Sequence, residues 1–194
     1  MIIANEEYDS VLFVHIPKTA GSSISKILNE NNLDNWKRGW PRHHDPYFYL
    51  KEVNDINDKT FSFSVVRNPY TRTYSCFGQY KKANQVDISF LEYLTNIQEN
   101  KISQITPLLH LSQSFYIIEQ KMLQVTKLYN FENLVELERD FGWTLGKYNI
   151  GNYMVQSYKE DYTEQTIQMT RDIYIEDFNN FGYPLEFEKS LEVL

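Results

Sequence analysis

The chain has 194 residues, of which 42% are hydrophobic and 23% charged, and a formal net charge of −7. That size and balance predict one soluble domain with a sizeable core, and the charge argues against a general binder of nucleic acid or anionic membrane while leaving room for a local basic cleft. Cys76 is the single cysteine, excluding an intrachain disulfide and a CxxC metal site; residues 1–10 do not resemble a signal peptide and no apolar run approaches the roughly 20 residues of a bilayer span, so a cytoplasmic protein is expected.

Val11 to His15 is a β-branched and aromatic run that predicts a buried strand. Pro17 has no N–H to donate and ends the ladder. Lys18-Thr19-Ala20-Gly21-Ser22-Ser23 follows as a turn of mostly small or hydroxylated residues, and Ile24, Ile27 and Leu28 then take up the spacing of a helix over 22–31. A strand, such a turn and a helix N-terminus make an anion site. Free N–H groups point outward, the helix dipole adds positive potential, and Lys18 supplies a full charge. It is not a Walker A loop, whose first glycine stands well upstream of the lysine. The plainer alternative is a lysine in an ordinary strand-to-helix turn.

Trp36 to Asp45 is a polar, aromatic and basic loop holding Lys37, Arg38, Arg42, His43 and His44. Pro46 is placed to begin a short helix through Leu50 and Val53, followed by a turn-rich connector over 54–59. Phe61 to Arg67 is the second strand; Asn68-Pro69 breaks it, and a helix is expected from Tyr70 to about Lys82. Arg67, at the end of a buried strand, must find an anion or a paired carboxylate. Ser75 lies one helical turn after Thr71 and can share that anion, and Arg72 is expected to project from the first turn. A structural salt bridge is the competing reading of Arg67. Two anion sites at the ends of two parallel strands imply a ligand with two separated anionic groups.

From Ile88 to Leu111 the pattern predicts two helices, with Asp87 and Thr106 as caps and Pro107 at the first position of the second. Val125 to Phe131 is a third strand-like run, followed by a helix over 133–141 and an irregular stretch over 142–158. A helix over 163–178, capped by Asp161 or Thr163, should turn Ile167, Thr170, Ile173 and Tyr174 inward. Residues 185–194 look like a weakly tethered tail. Strands alternating with helices predict an α/β fold, a parallel sheet flanked by helices with the anion site at the C-terminal edge of its strands. The whole is expected to be a single domain over 1–194 with a helical insertion at about 83–120.

The pair HIPKTAGSS (15–23) and VVRNPYTRTYS (65–75) resembles the two cofactor loops of sulfotransferases, the enzymes that use 3′-phosphoadenosine-5′-phosphosulfate. The likeness is greatest to their carbohydrate branch, which includes heparan uronyl sulfotransferases and small bacterial relatives. Phe131-Glu132-Asn133-Leu134 resembles the segment after the family's third strand, and Arg171 to Tyr183 its closing helix and FGY end, so the resemblance spans about 11–183. It implies a P-loop-NTPase-like sulfotransferase fold. It also implies that Lys18, Thr19, Ala20, Gly21, Ser22 and Ser23 hold the 5′-phosphosulfate, that Arg67 and Ser75 hold the 3′-phosphate, and that no metal is required.

In this family a histidine between the two loops acts as general base, a role that suits imidazole. His43 and His44 both fit, and His44 directly precedes the expected helix; two exposed loop histidines are the plainer alternative. His15 is assigned to the strand and His110 to the helical insertion. His110 to Tyr116 resembles a family stretch carrying a glutamine near the acceptor cleft, here Gln113. Residues 147–159 fall where relatives close a loop over the nucleotide, but match too poorly to carry roles. The implied reaction moves a sulfuryl group to a hydroxyl of a carbohydrate or glycan acceptor. Trp36, Trp40, Tyr47 and Tyr49 are available to stack on sugar faces or simply to pack; Lys37, Arg38 and Arg42 admit an acidic sugar. A nucleotide kinase would need Mg²⁺ and a glycine-rich loop that the chain lacks. Against a non-catalytic nucleotide-binding module speak Lys18, Arg67, Ser75 and the histidine pair.

Overall fold

Among the described residues, the α-helices and β-strands are as follows in chain order. They begin with β1 (Ser10–Val14), α1 (Gly21–Glu30), α2 (Tyr47–Val53) and β2 (Thr60–Val66), then α3 (Pro69–Asn84), α4 (Phe90–Gln98) and α5 (Gln113–Ile117). There follow β3 (Ile118–Glu119), β4 (Met122–Leu123), β5 (Lys127–Asn130), α6 (Val135–Phe141), α7 (Glu164–Phe181) and α8 (Phe187–Leu191). The computed structural model describes residues 7–30, 44–54, 56–102, 107–145 and 159–192. They divide into two compact units, Met1–Val66 with Gln113–Asn149 and Arg67–Ser112 with Ile150–Leu194.

The first unit is the expected α/β assembly, a three-stranded sheet in the order β1-β2-β5. Both pairings are parallel, with Val14 opposite Ser64 and Val66 opposite Asn130. β2 is central and buried along its whole length, as a parallel strand covered on both faces must be. Phe13, Phe61, Phe63, Val65 and Tyr129 from the sheet meet Ile24 and Leu28 of α1 and Leu137 and Phe141 of α6 in one core. Two serines in β2 are buried there at little cost because both are hydrogen-bonded. Ser64 Oγ donates to the Val14 carbonyl at 2.7 Å, and Ser62 Oγ lies 3.1 Å from Thr126 Oγ1. β3 and β4 form a small antiparallel hairpin not foreseen in the sequence. Gln120 and Lys121 at its turn have φ of 50° and 64°, the conformation two-residue hairpins favour.

The second unit is helical. Asn68 caps α3 by accepting from the Tyr70 and Thr71 N–H groups, with Pro69 at the first position. Here the N–H that proline lacks is one the helix could not have used. Ser89, not Asp87, caps α4; Asp87 instead pairs with Lys81 at 2.7 Å. Where a second helix is expected before Leu111, the described residues Pro107–His110 form a single 3₁₀ turn. Thr163 and Thr166 make a reciprocal capping box on α7, and Gly182 ends it with φ of 71°.

α7 turns Thr166, Thr170, Tyr174, Asp177 and Phe178 inward, leaving Ile167 and Ile173 half-buried. Tyr174 has non-helical dihedrals (φ −118°, ψ 26°), yet the buried stripe continues through it to Asp177 and Phe178 at helical spacing. The expected loose tail is also corrected. Residues 187–191 form α8, with Phe187 and Ser190 buried, and the Leu185 carbonyl accepts from Tyr70 Oη at 2.6 Å and Arg171 Nε at 2.8 Å. Among the described residues no helix is long and apolar enough to cross a membrane.

Candidate functional site

In the first unit, β1 ends at Val14, so His15 stands just beyond the strand rather than in it. The chain then turns sharply through Lys18 (φ 70°) and Ala20 (φ 66°). Neither is glycine, and such a conformation costs a residue with a β-carbon about 1–2 kcal/mol. Thr19, fully buried, fixes the turn by donating its hydroxyl proton to the Ile16 carbonyl at 2.9 Å. The Ala20 carbonyl accepts from the Ser23 and Ile24 N–H groups at 3.0 and 3.2 Å, starting α1 immediately. Ser23 N–H is therefore committed within the helix. Gly21 and Ser22 carry the first N–H groups of α1, which no intrahelical carbonyl can reach. No acidic residue lies in the first turn, so the positive end of the dipole is uncompensated by a local carboxylate.

The glycine of this loop has a definite reason. A β-carbon on Gly21 would fall 1.7 Å from Nε2 and 1.8 Å from Cδ2 of His15. The His15 ring thus lies directly on the backbone at the start of α1. It stacks on Phe13 with ring centroids 5.5 Å apart and meets the His44 ring edge-on at 4.3 Å. His44 Nδ1 is 2.9 Å from the His15 carbonyl oxygen. His44, expected on its position before α2, is accordingly brought against the turn that carries Lys18, Thr19, Ala20, Gly21, Ser22 and Ser23. Sequence reasoning had no role for His15; the informative signal was a glycine at the first helical position, where close approach of another group demands one.

In the second unit, Arg67 follows directly on the last residue of β2 and is half-buried. Its Nε donates to Thr71 Oγ1 at 2.9 Å, and Thr71 donates to the Asn68 carbonyl at 3.2 Å. The guanidinium is therefore oriented by the first turn of α3. Ser75 is buried one turn further along the same helix. Arg72 does not project outward as expected: it is 1% exposed and donates from Nη2 to the Leu111 carbonyl at 3.0 Å. His110 lies in the same interior, with Nδ1 2.9 Å from Tyr93 Oη. Burial, and then the nearby Arg72 charge, push its pKa down to about 4. Arg72 and His110 are core groups.

His43 lies outside the described residues, as do Trp36, Lys37, Arg38, Trp40, Arg42 and Thr106. Tyr47 is buried, and burial pushes its phenol pKa up. Tyr49 is exposed, as are Phe48 and Phe115, whose rings meet at right angles 6.1 Å apart. Gln113 is fully buried at the start of α5. Among the described residues no group of three or more histidine, cysteine, aspartate or glutamate side chains is placed to hold a metal ion.

The sulfotransferase family model matches residues 1–184 of this chain. Comparison with curated proteins and with solved structures gave no significant match.

Proposed function

The chain belongs to the sulfotransferase family, and from that premise we propose that it transfers a sulfuryl group from 3′-phosphoadenosine-5′-phosphosulfate to a hydroxyl of a carbohydrate or glycan. The observation that carries the reading is the first loop. A turn held at positive φ by Lys18 and Ala20 delivers the chain into the N-terminus of α1, with His44 held against it through His15. The construction fits a phosphosulfate: outward N–H groups at Gly21 and Ser22, the helix dipole and one lysine all favour an anion there.

The donor supplies an activated sulfuryl group on a phosphate leaving group; the residues of the chain position it and stabilise charge. Lys18 neutralises the charge that grows on the departing phosphate oxygen as the sulfur–oxygen bond breaks. Gly21 and Ser22 N–H groups hold the 5′-phosphate. Arg67, oriented by Thr71, and Ser75 grip the 3′-phosphate that marks this donor. β1 and β2 are parallel neighbours in register, and each is followed in the chain by one of the two loops. His44 accepts the proton of the acceptor hydroxyl as that oxygen bonds to sulfur, and adenosine 3′,5′-bisphosphate is released. His43 remains the other candidate for this role.

The family match runs through both units, which supports treating 1–194 as one sulfotransferase domain. A cytoplasmic location belongs to the same reading and accords with Cys76 being a buried thiol that donates to the Leu109 carbonyl. The test is incubation with sulfur-labelled donor and a panel of neutral and acidic oligosaccharides. Label should move to a glycan, and adenosine 3′,5′-bisphosphate should bind in calorimetry. Binding without transfer to any acceptor would reduce the protein to a nucleotide-binding module, and absence of both would overturn the reading.

A further inference from the structure

We propose that His15 is the positioning residue for His44, and that it makes Nε2 the basic nitrogen of His44 by holding Nδ1 in its protonated form. The assignment of His44 as base rests on the functional reading above; the tautomer does not. The partner of His44 Nδ1 at 2.9 Å is a main-chain carbonyl oxygen. A carbonyl oxygen has no proton to give, so the bond exists only when Nδ1 carries the hydrogen. In a neutral imidazole the lone pair then resides on Nε2.

The His15 ring makes this arrangement rigid. It is enclosed by three partners that fix its plane: the Phe13 ring stacked at 5.5 Å, the His44 ring at 4.3 Å, and the Gly21 backbone where a β-carbon would stand 1.7 Å from Nε2. His15 touches the α1 N-terminus with its ring and His44 with both its ring and its carbonyl. One residue therefore links the start of α1, beside the turn that Thr19 fixes, to the orientation of the His44 imidazole. His15 acts by shape and by its main chain, so its own protonation is not required. A phenylalanine, planar and of similar width, should serve in its place, whereas alanine should not.

Two measurements test this. The first is long-range nitrogen–proton NMR of the whole protein labelled at histidine, at a pH where His44 is neutral, with the His44 signals identified by their loss in His44→Ala. The expected result is a pyrrole-like Nδ1 and a pyridine-like Nε2. The opposite pattern, or averaged shifts from a mixture, overturns the proposal. This readout needs no activity, so a protein with the Nδ1–H tautomer and no sulfuryl transfer would sink the functional reading and leave the tautomer standing.

The second is kinetics of His15→Ala and His15→Phe. Displacement of a reacting group by about 1 Å costs up to about 100-fold, so His15→Ala should lower kcat roughly 10- to 100-fold, with a smaller change in the donor KM. His15→Phe should recover most of that loss and keep the pH–rate profile of the parent. Unchanged kcat in His15→Ala, or a His15→Phe variant as inactive as His44→Ala, overturns the positioning role. Should His15→Ala fail to fold, the His15→Phe profile and the tautomer of the unmodified protein decide the matter.

Discussion

Asn68 and Ser190 stand 122 positions apart and are hydrogen-bonded twice: Asn68 Nδ2 donates to the Ser190 carbonyl at 2.6 Å and to its Oγ at 2.7 Å. The same asparagine caps α3 with its Oδ1. One fully buried side chain thus starts the helix that follows Arg67 and anchors α8. Asn68→Ala removes the cap and leaves a buried carbonyl without its partner, which should cost about 2–4 kcal/mol. Urea unfolding at neutral pH measures it. Deleting residues 185–194 should destabilise the protein comparably, since the Leu185 carbonyl bonds Tyr70 and Arg171.

Gly21→Ala should destabilise the protein by about 1–3 kcal/mol, the ordinary penalty of overpacking, because the new methyl collides with the His15 ring. In the double variant with His15→Ala the collision disappears. The pair should then be more stable than the sum of the single effects predicts, a coupling that a double-mutant cycle in urea measures directly. Strict additivity would mean that His15 does not occupy that space in solution.

Lys18 offers a case in which stability and activity part. Its φ of 70° suits glycine, whereas alanine shares the steric cost of the left-handed conformation. Lys18→Gly should therefore be as stable to denaturant as the parent, or more stable by up to about 1 kcal/mol, and Lys18→Ala should gain nothing. Both should lose turnover by about 10²-fold or more, as removal of one electrostatic stabiliser commonly does. A Lys18→Gly variant that retained full turnover would remove the lysine from the chemistry.

The two arginines flanking the start of α3 should behave oppositely. Arg67→Ala should leave the unfolding midpoint nearly unchanged and weaken binding of adenosine 3′,5′-bisphosphate in calorimetry by about 10-fold or more, the worth of a charge-assisted hydrogen bond. Arg72→Ala should impair folding, because Arg72 is buried and bonded to the Leu111 carbonyl.

His110 should make stability depend on pH. Its pKa is lowered to about 4 in the native protein, against about 6.5 in an unfolded chain. Above that unfolded value both states are neutral there and His110 contributes no slope. As pH falls from about 6.5 to about 4, the unfolded chain takes up a proton that the native protein refuses, and stability is lost by up to about 3 kcal/mol. Below about 4 that loss is complete. His110→Gln, which keeps a partner for Tyr93, should flatten this window in urea titrations at successive pH values.

Much of the frame was legible because its signals are local. The Val11 and Phe61 runs are β-branched and aromatic, Ile24, Ile27 and Leu28 recur at helical spacing, and Asn68-Pro69 is both a strand stop and a helix cap. The parts that were not legible depend on distant or three-dimensional facts. Arg72 looks like a surface residue of a first helical turn until the Leu111 carbonyl is seen to meet it. Ile167 and Ile173 satisfy a helical stripe, but the face that packs is centred on Thr166, Thr170, Tyr174, Asp177 and Phe178, and its two threonines do not mark it as buried. Residues 187–191 are too few to hold a helix on intrinsic propensity, and α8 exists because Phe187 and Ser190 are buried. At the candidate site, glycine-like geometry at Lys18 and Ala20 leaves no trace in residue type. His15 continues the strand pattern past the point where the ladder stops.

The second unit is assembled from two stretches of chain, Arg67–Ser112 and Ile150–Leu194, with the sheet's last strand lying between them in sequence. In α3, Phe77 and Tyr80 meet Phe90, Tyr93 and His110, which follow soon after in synthesis, but Tyr70 packs on Phe178 and Phe187, which exist only once α7 and α8 have been made. Contacts of such long sequence separation slow folding, since the intervening loop must close before they stabilise anything. A nascent chain halted between β5 and α7 would present Tyr70 to whatever else is nearby. Chaperone dependence during translation, and aggregation of ribosome-stalled fragments, are where this arrangement would first make itself felt in a cell.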